Sequence, residues 1–166
     1  MMSDVYVYVA GEKDLAYIEN IEDAITAASK IKGTGIAVRS RDYLEQKIRE
    51  GKSVIAVDQH GKWAGFCYIE SWGHNRFVAN SGLVVNPDFR GQGLAKSIKK
   101  RALELSNELF PEASLFGLTT SLAVMKINSS LGYKPVTFSE LTDDDEFWKG
   151  CMSCPYYDIL VRTRIS

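Results

Sequence analysis

The chain has 166 residues, 45% of them hydrophobic and 25% charged, the composition of an ordinary globular domain and not of a disordered or fibrous one. Twenty basic against twenty-one acidic side chains leave a formal charge of −1, which argues against the basic surface of a general nucleic-acid binder. No apolar run approaches the ~20 residues of a membrane-spanning helix, Met1 to Tyr6 lacks the basic-then-apolar order of a secretion signal, and three cysteines make a poor disulfide framework. These features predict one cytoplasmic domain over residues 1–166, with no metal, nucleic acid or membrane as partner.

Val5, Val7 and Val9 alternate with Tyr6 and Tyr8, the period of a strand. Leu15, Ile18, Ile21, Ile25 and Ala28 then fall at helical spacing, and Gly33-Thr34-Gly35 ends that helix. Asp42 to Glu50 predicts a second helix, stopped by Gly51. Ser53 to Val57 and Lys62 to Trp72 flank the turn Gln59-His60-Gly61 as a hairpin. After a turn at Gly73-His74-Asn75-Arg76, Phe77 to Val85 is a long apolar strand. Leu94, Ile98, Ala102, Leu105 and Leu109 define one face of a long helix that Pro111 ends. Beyond it the pattern predicts a strand over Leu115 to Thr119, a helix over Leu122 to Ser130 stopped by Gly132, and a strand over Tyr133 to Ser139. An acidic helical turn opened by Thr142, with Asp145 three residues on, and a last strand over Tyr156 to Val161 follow. This order predicts an α/β domain of the α+β kind. Its mixed, mostly antiparallel central sheet turns parallel around the long helix and is flanked by helices.

The most informative segment is Leu83-Val84-Val85-Asn86-Pro87-Asp88-Phe89-Arg90-Gly91-Gln92-Gly93-Leu94-Ala95. A buried strand enters a turn with two glycines, and a helix follows at once. Gly91 and Gly93 admit backbone angles that a Cβ would block. The unpaired N–H groups of the helix start can converge on an anion, aided by the helix dipole. Arg90, Lys96, Lys99, Lys100 and Arg101 add five cations, and no acid occurs between Asp88 and Glu104, which suits a ligand with several phosphates. Other phosphate motifs fail: a dinucleotide fingerprint would need glycine where Lys96 stands, and a P-loop ending at Gly51-Lys52-Ser53 would need glycine in place of Gln46.

Arg90-Gly91-Gln92-Gly93-Leu94-Ala95 resembles the R/Q-x-x-G-x-G/A signature of the GNAT-type N-acetyltransferases, as do the preceding Val84-Val85-Asn86-Pro87-Asp88-Phe89 and the pair Gly132-Tyr133. The resemblance covers roughly residues 35–140. It implies the GNAT fold and acetyl-CoA as acyl donor. It implies that the backbone N–H groups of Gly91 through Ala95 hold the pyrophosphate, within a cofactor-binding stretch of Arg90, Gly91, Gln92, Gly93, Leu94, Ala95 and Lys96. It further implies that Leu83, Val84 and Val85 line the pantetheine arm, in the gap where this strand splays from the one containing Leu115.

The stretch from Gly35 to Ile48, with Leu118-Thr119-Thr120 and Gly132 to Val136, resembles the acetyltransferase domain of N-acetylglutamate synthases. That likeness implies transfer to the α-amine of glutamate in arginine biosynthesis, with Arg39 and Arg41 near the substrate carboxylates. A planar guanidinium accepts a carboxylate bidentately. The amino-acid-kinase-like domain of the long synthases is not part of this sequence, and with it goes their feedback site. Other acceptors stay open: another small amine, such as a polyamine or aminoglycoside, or a protein N-terminus. A non-catalytic CoA-binding sensor is the alternative outside the enzyme class. Many relatives pair through edge strands, so a homodimer is among the arrangements the resemblance allows.

An amine attacks a thioester only when unprotonated, so a base or a dry pocket must help. Glu70 is the base candidate, on a strand face with Ala64, Phe66 and Tyr68. His60 and His74, the only histidines, fall in turns. Many family members carry a tyrosine acid five residues before the aromatic of the glycine-aromatic pair. Asn128 stands at that position here; it can donate a hydrogen bond but cannot protonate a thiolate at neutral pH. Tyr133 is a candidate substitute acid beside a core-packing role, with solvent or a residue from elsewhere as the other proton sources. Cys151-Met152-Ser153-Cys154 lacks the second ligand pair of a structural zinc site and reads as inert thiols. Trp63, Trp72 and Trp148 read as core or interface aromatics.

Overall fold

The computed structural model describes residues 4–31, 38–116 and 122–133. Gly33-Thr34-Gly35, the stretch 117–121, the strand expected over 133–139 beyond its first residue, the acidic turn from Thr142, Trp148, Cys151, Cys154 and the strand from Tyr156 lie outside the described residues. Among those described, the elements in chain order are β1 (Val5–Val9), α1 (Ile18–Ser29), α2 (Arg41–Arg49), β2 (Ser53–Asp58), β3 (Trp63–Trp72), β4 (Phe77–Val85), α3 (Leu94–Leu109), β5 (Ser114–Phe116) and α4 (Leu122–Ser130).

Local chemistry sets the boundaries. Leu15 falls in a 3-10 turn over Glu12–Tyr17, ahead of α1. The buried Asp14 carboxylate there accepts from the Gly11 N–H at 2.9 Å and the Tyr8 hydroxyl at 2.8 Å. α2 starts at Arg41 because the Ser40 hydroxyl accepts from the Tyr43 N–H at 3.2 Å.

The strands form one sheet in the order β1-β2-β3-β4-β5. Pairing is antiparallel up to β4 and parallel between β4 and β5, with α3 as the crossover that a parallel pair requires. Each face buries its own apolar layer. Ile21 and Ile25 of α1 and Leu44 and Ile48 of α2 meet Ile55, Phe66, Tyr68 and Val84 on one face. Leu94, Ile98, Ala102 and Leu105 of α3 meet Val54, Ala56, Ala64, Cys67 and Val78 on the other.

Two irregularities in the ladder aim the side chains. Ala56 pairs with Gly65 but Val57 with Trp63, and the extra residue turns Ala64 to the α3 face. The expectation that Ala64 shares a face with Phe66, Tyr68 and Glu70 is therefore corrected: Phe66 and Tyr68 lie on the α1/α2 face. In the second irregularity Phe66 pairs with Val84 but Tyr68 with Ser81, so β4 carries one residue too many, a β-bulge. Gly82 takes the bend at φ +63, and a Cβ there would come 2.3 Å from Tyr68 Cε1, so glycine is required twice over.

β4 pairs with β5 only over Phe77–Ala79, opposite Ser114–Phe116. From Asn80 to Val85, β4 has no strand on its β5 side among the described residues. The bulge and the parting of the two strands fall on the same stretch of β4.

Candidate active site

The end of β4 leads through a 3-10 turn, Pro87–Phe89, into the glycine loop. Asn86 anchors that turn: its side-chain amide donates to the Trp63 carbonyl at 2.8 Å, and its oxygen accepts from the Asp88 N–H at 3.0 Å. Gly91 and Gly93 have φ +81 and +72, with no atom within 4 Å of where a Cβ would stand. Gly93 is the N-cap of α3, where no side chain caps the helix and no acid lies in its first turn. Ser97 is the first residue of the helix whose N–H finds a carbonyl among the described residues, Gly93 O at 3.2 Å. The N–H groups ahead of it are left to an outside acceptor, at the positive end of a helix of 16 residues.

The five cations of this segment divide. Arg90, Lys96 and Lys100 are exposed around the loop. Arg101 is drawn away by Glu104 at 3.7 Å and Glu108 at 3.2 Å on its own helix. Lys99 is only 4% exposed and points inward. Leu83 and Val85 are partly buried against the α3 layer, whereas the Val84 side chain is in the core of the opposite face. Leu94 is buried in the α3 layer and Ala95 is partly buried beside it.

On the α1/α2 face, Arg39 reaches across from the chain before α2. Its Nε donates to the Tyr68 hydroxyl at 3.0 Å, a terminal nitrogen lies 3.6 Å from Glu70 Oε1, and the guanidinium sits 5.2 Å from the centre of the Tyr43 ring. Tyr43 meets Tyr68 edge to face at 5.7 Å. Burial pushes the Glu70 carboxyl above the usual carboxylate range, against the pull of the Arg39 charge. Lys47, one helical turn beyond Tyr43, donates to the Ile69 carbonyl at 2.8 Å. Burial, with the nearby Lys52 charge, brings its ammonium down to about 8. Arg41 does not join this cluster: it turns to α1 and pairs with Glu22 at 2.6 Å. His74 is exposed in its turn at φ 57.

On the α3 face lies a second polar group. Asn128 is 7% exposed, and among the described residues its Oδ1 has no partner; the Tyr133 hydroxyl and the Nδ2 of Asn80 are likewise buried and unpartnered there. The turn after α4 holds the first two together, because the Tyr133 N–H donates to the Asn128 carbonyl at 3.0 Å. Burial pushes the Tyr133 phenol up to about 12, so it stays protonated at neutral pH. The Lys99 ammonium sits 5.7 Å from the centre of the Tyr133 ring. Among the described residues no group of three or more His, Cys, Asp or Glu side chains is placed to hold a metal, and no helix is long and apolar enough to cross a membrane.

Sequence reasoning brought out Arg39, Glu70, Asn128 and Tyr133, missed Tyr43, Lys47 and Asn80, named Tyr68 only as a neighbour of Glu70, and counted Lys99 only among the cations of the glycine loop. The i, i+4 spacing of Tyr43 and Lys47 and the alternation of Phe66, Tyr68 and Glu70 were the signals available for the first face. Lys99, interrupting an apolar helix face beside Ile98, was the signal for the second.

A sequence model of the acetyltransferase (GNAT) family matches residues 18–123. No curated protein sequence matches. Among solved structures, N-acetylglutamate synthase from Neisseria gonorrhoeae, complexed with coenzyme A and N-acetyl-glutamate, superimposes with a TM-score of 0.70 at 19% identity, over 92% of this chain. The chain spans only 34% of the length of that synthase. Rv2747 from Mycobacterium tuberculosis, solved with CoA, gives a TM-score of 0.67 at 15% identity, covering 96% of this chain and 87% of its own. A phosphinothricin acetyltransferase from Sinorhizobium meliloti, in complex with AcCoA, gives 0.62 at 17%, covering 81% and 76%. At these identities the structures establish the fold, and the family match establishes the kinship: this chain belongs to the acetyltransferase (GNAT) family.

Proposed function

We propose that the chain transfers the acetyl group of acetyl-CoA to the α-amine of a small amino acid bearing carboxylates, glutamate first. The observation that carries this reading is the division of the sheet around the β4 bulge. An arginine–carboxylate pair lies on one face, and the N–H groups of the glycine loop with orphaned polar atoms lie on the other.

Coenzyme A fits the second face on physical grounds. The unpartnered N–H groups of the glycine loop suit a pyrophosphate. The edge of β4 from Asn80 to Val85, unpaired on its β5 side among the described residues, suits the amides of a pantetheine arm, which Leu83 and Val85 flank. Asn80, Asn128 and Tyr133 hold buried polar atoms without partners among the described residues, a cost that an amide- and sulfur-bearing occupant removes. Bound there, acetyl-CoA supplies an acetyl group activated as a thioester.

The other face serves the acceptor. Arg39 takes a substrate carboxylate. Because that carboxylate competes with Glu70 for the same guanidinium, its arrival releases Glu70 and lets the carboxyl's proton affinity rise further. Glu70 then takes the proton of the substrate ammonium and exposes the nitrogen lone pair. Tyr133, protonated at neutral pH, donates a hydrogen bond on the donor side, and Asn128 fixes the donor's polar groups. Arg41, committed to Glu22, is assigned no contact with substrate.

Release of free thiol from acetyl-CoA, assayed over a panel of amino acids and amines, tests the reading. Turnover with glutamate, and little with uncharged amino acids or polyamines, is expected. Turnover with cationic amines alone would overturn the acceptor assignment, and CoA binding without turnover on any amine would leave a CoA-binding protein that is not an enzyme.

A further inference from the structure

We infer that Lys99 is a donor-site residue of this chain: its ammonium receives the sulfur end of the donor and counters the charge that the leaving thiolate acquires. The inference rests on the function proposed above, because it takes coenzyme A as the occupant of the α3 face.

Lys99 is 4% exposed on a helix face otherwise built from Leu94, Ile98, Ala102 and Leu105. A buried ammonium is costly unless an anion or acceptors meet it. Among the described residues none does. The titratable groups that face it are Cys67 from β3 and Tyr133 from beyond α4. Tyr133 offers a ring face at 5.7 Å. Cys67 is a buried thiol pushed up to about 11 even with the Lys99 charge pulling it down, so it stays neutral. The ammonium thus meets no anion and no hydrogen-bond acceptor among the described residues, burial lowers its proton affinity, and the ring it faces carries the unpartnered Tyr133 hydroxyl.

The position along the sheet is the second half of the case. α3 runs back along β4: Ser106, two turns beyond Lys99, reaches Asn80 with its hydroxyl 3.4 Å from Oδ1. Lys99 lies six residues beyond Gly93, roughly 9 Å along the helix. Its charge is at the level of Cys67, whose thiol meets the Ser81 carbonyl at 3.3 Å. Ser81 adjoins the Gly82 bulge, and Tyr68, the next residue of β3, belongs to the acceptor cluster on the far face. An occupant anchored by phosphate at the glycine loop and extended along β4 brings its sulfur to that level, where its acetyl group faces the acceptor. In the transfer, a carbon–nitrogen bond forms and the carbon–sulfur bond breaks with its electron pair left on sulfur. Glu70 passes the ammonium proton on to water and takes the second proton as the amide forms, so that the thiolate leaves as the anion and Lys99 keeps its own proton as counter-ion.

Calorimetric titration of the full chain with CoA and with desulfo-CoA, in which hydrogen replaces the thiol, tests this at pH 8.5. The wild type is expected to bind CoA about tenfold or more tightly than desulfo-CoA. Lys99→Met should lose that preference while its affinity for desulfo-CoA stays within about twofold, and Lys99→Arg should keep most of it. Lys99→Gln provides the same comparison should the methionine variant fail to fold. An undiminished preference in the methionine or glutamine variant would overturn the inference with the function intact. Binding of neither ligand by the wild type would overturn the function and this inference with it.

Discussion

A terminal nitrogen of Arg39 lies 3.6 Å from Glu70 Oε1, and both side chains are largely shielded from water. The proposed clamp and the proposed base are thus one electrostatic unit: the guanidinium that would hold a substrate carboxylate also holds down the proton affinity of the group that would deprotonate the substrate amine. Arg39→Ala should accordingly do two things. It should raise KM for the acceptor about 10–100-fold, the size of a lost charged hydrogen bond of about 1.5–3 kcal/mol, with little change in KM for acetyl-CoA. It should also move the acid limb of kcat/KM to higher pH, since Arg39 lowers the Glu70 value and burial remains. A pH-rate series checks both, and an unmoved limb would separate Glu70 from the chemistry.

Glu70→Gln removes the titrating group and leaves a side chain of the same shape. The acid limb should disappear and kcat should fall about 100-fold or more, within the range of general-base catalysis. A retained limb with an unchanged rate would identify another base.

Gly82 and Gly93 both hold positive φ, +63 and +72, but only Gly82 faces a neighbour, Tyr68 Cε1 at 2.3 Å from a Cβ. Gly82→Val should therefore cost the fold about 2–5 kcal/mol, left-handed strain plus overpacking. Gly93→Val should cost only the strain, about 1–2 kcal/mol, yet weaken CoA binding severely by crowding the loop. Denaturant melts alongside CoA titrations distinguish the two; equal losses of stability would contradict the assignment.

Lys47 titrates near 8 in the folded chain against an ordinary 10.5. Between those values the unfolded chain binds more protons, so stability rises with pH across that window and the penalty is fully present below it. Lys47→Met should flatten this rise in denaturant melts between pH 8 and 10.5. A slope identical to that of the wild type would mean the ammonium is well solvated.

What the sequence made legible is what local rules control. Strand alternation and the strand–glycine–helix order around Val85 and Leu94 are written in neighbouring residues, so these elements and the glycine loop could be read directly, whereas the Ser40 cap that starts α2 one residue ahead of Asp42 was not. The faces of β3 could not. The irregularity at Ala64 depends on pairing with Ala56 and Val57 across the hairpin, and that pairing is long-range. Arg39 and Arg41 look equivalent in sequence, yet one joins Tyr68 and Glu70 while the other is drawn to Glu22, because only the packing of α1 against α2 brings Glu22 within reach. Lys99 was legible as a cation but not as a buried one, since burial depends on Cys67 and Tyr133 arriving from elsewhere in the chain.

The claim on which the account turns is that the peptide N–H groups of residues 91–95 receive the pyrophosphate. Backbone amide resonances recorded while CoA is added to the full chain test it residue by residue. The amides of Gly91, Gln92, Gly93, Leu94 and Ala95 should shift together and saturably, with Leu83 and Val85 following along β4. Saturable CoA binding that leaves those five resonances unmoved would contradict it.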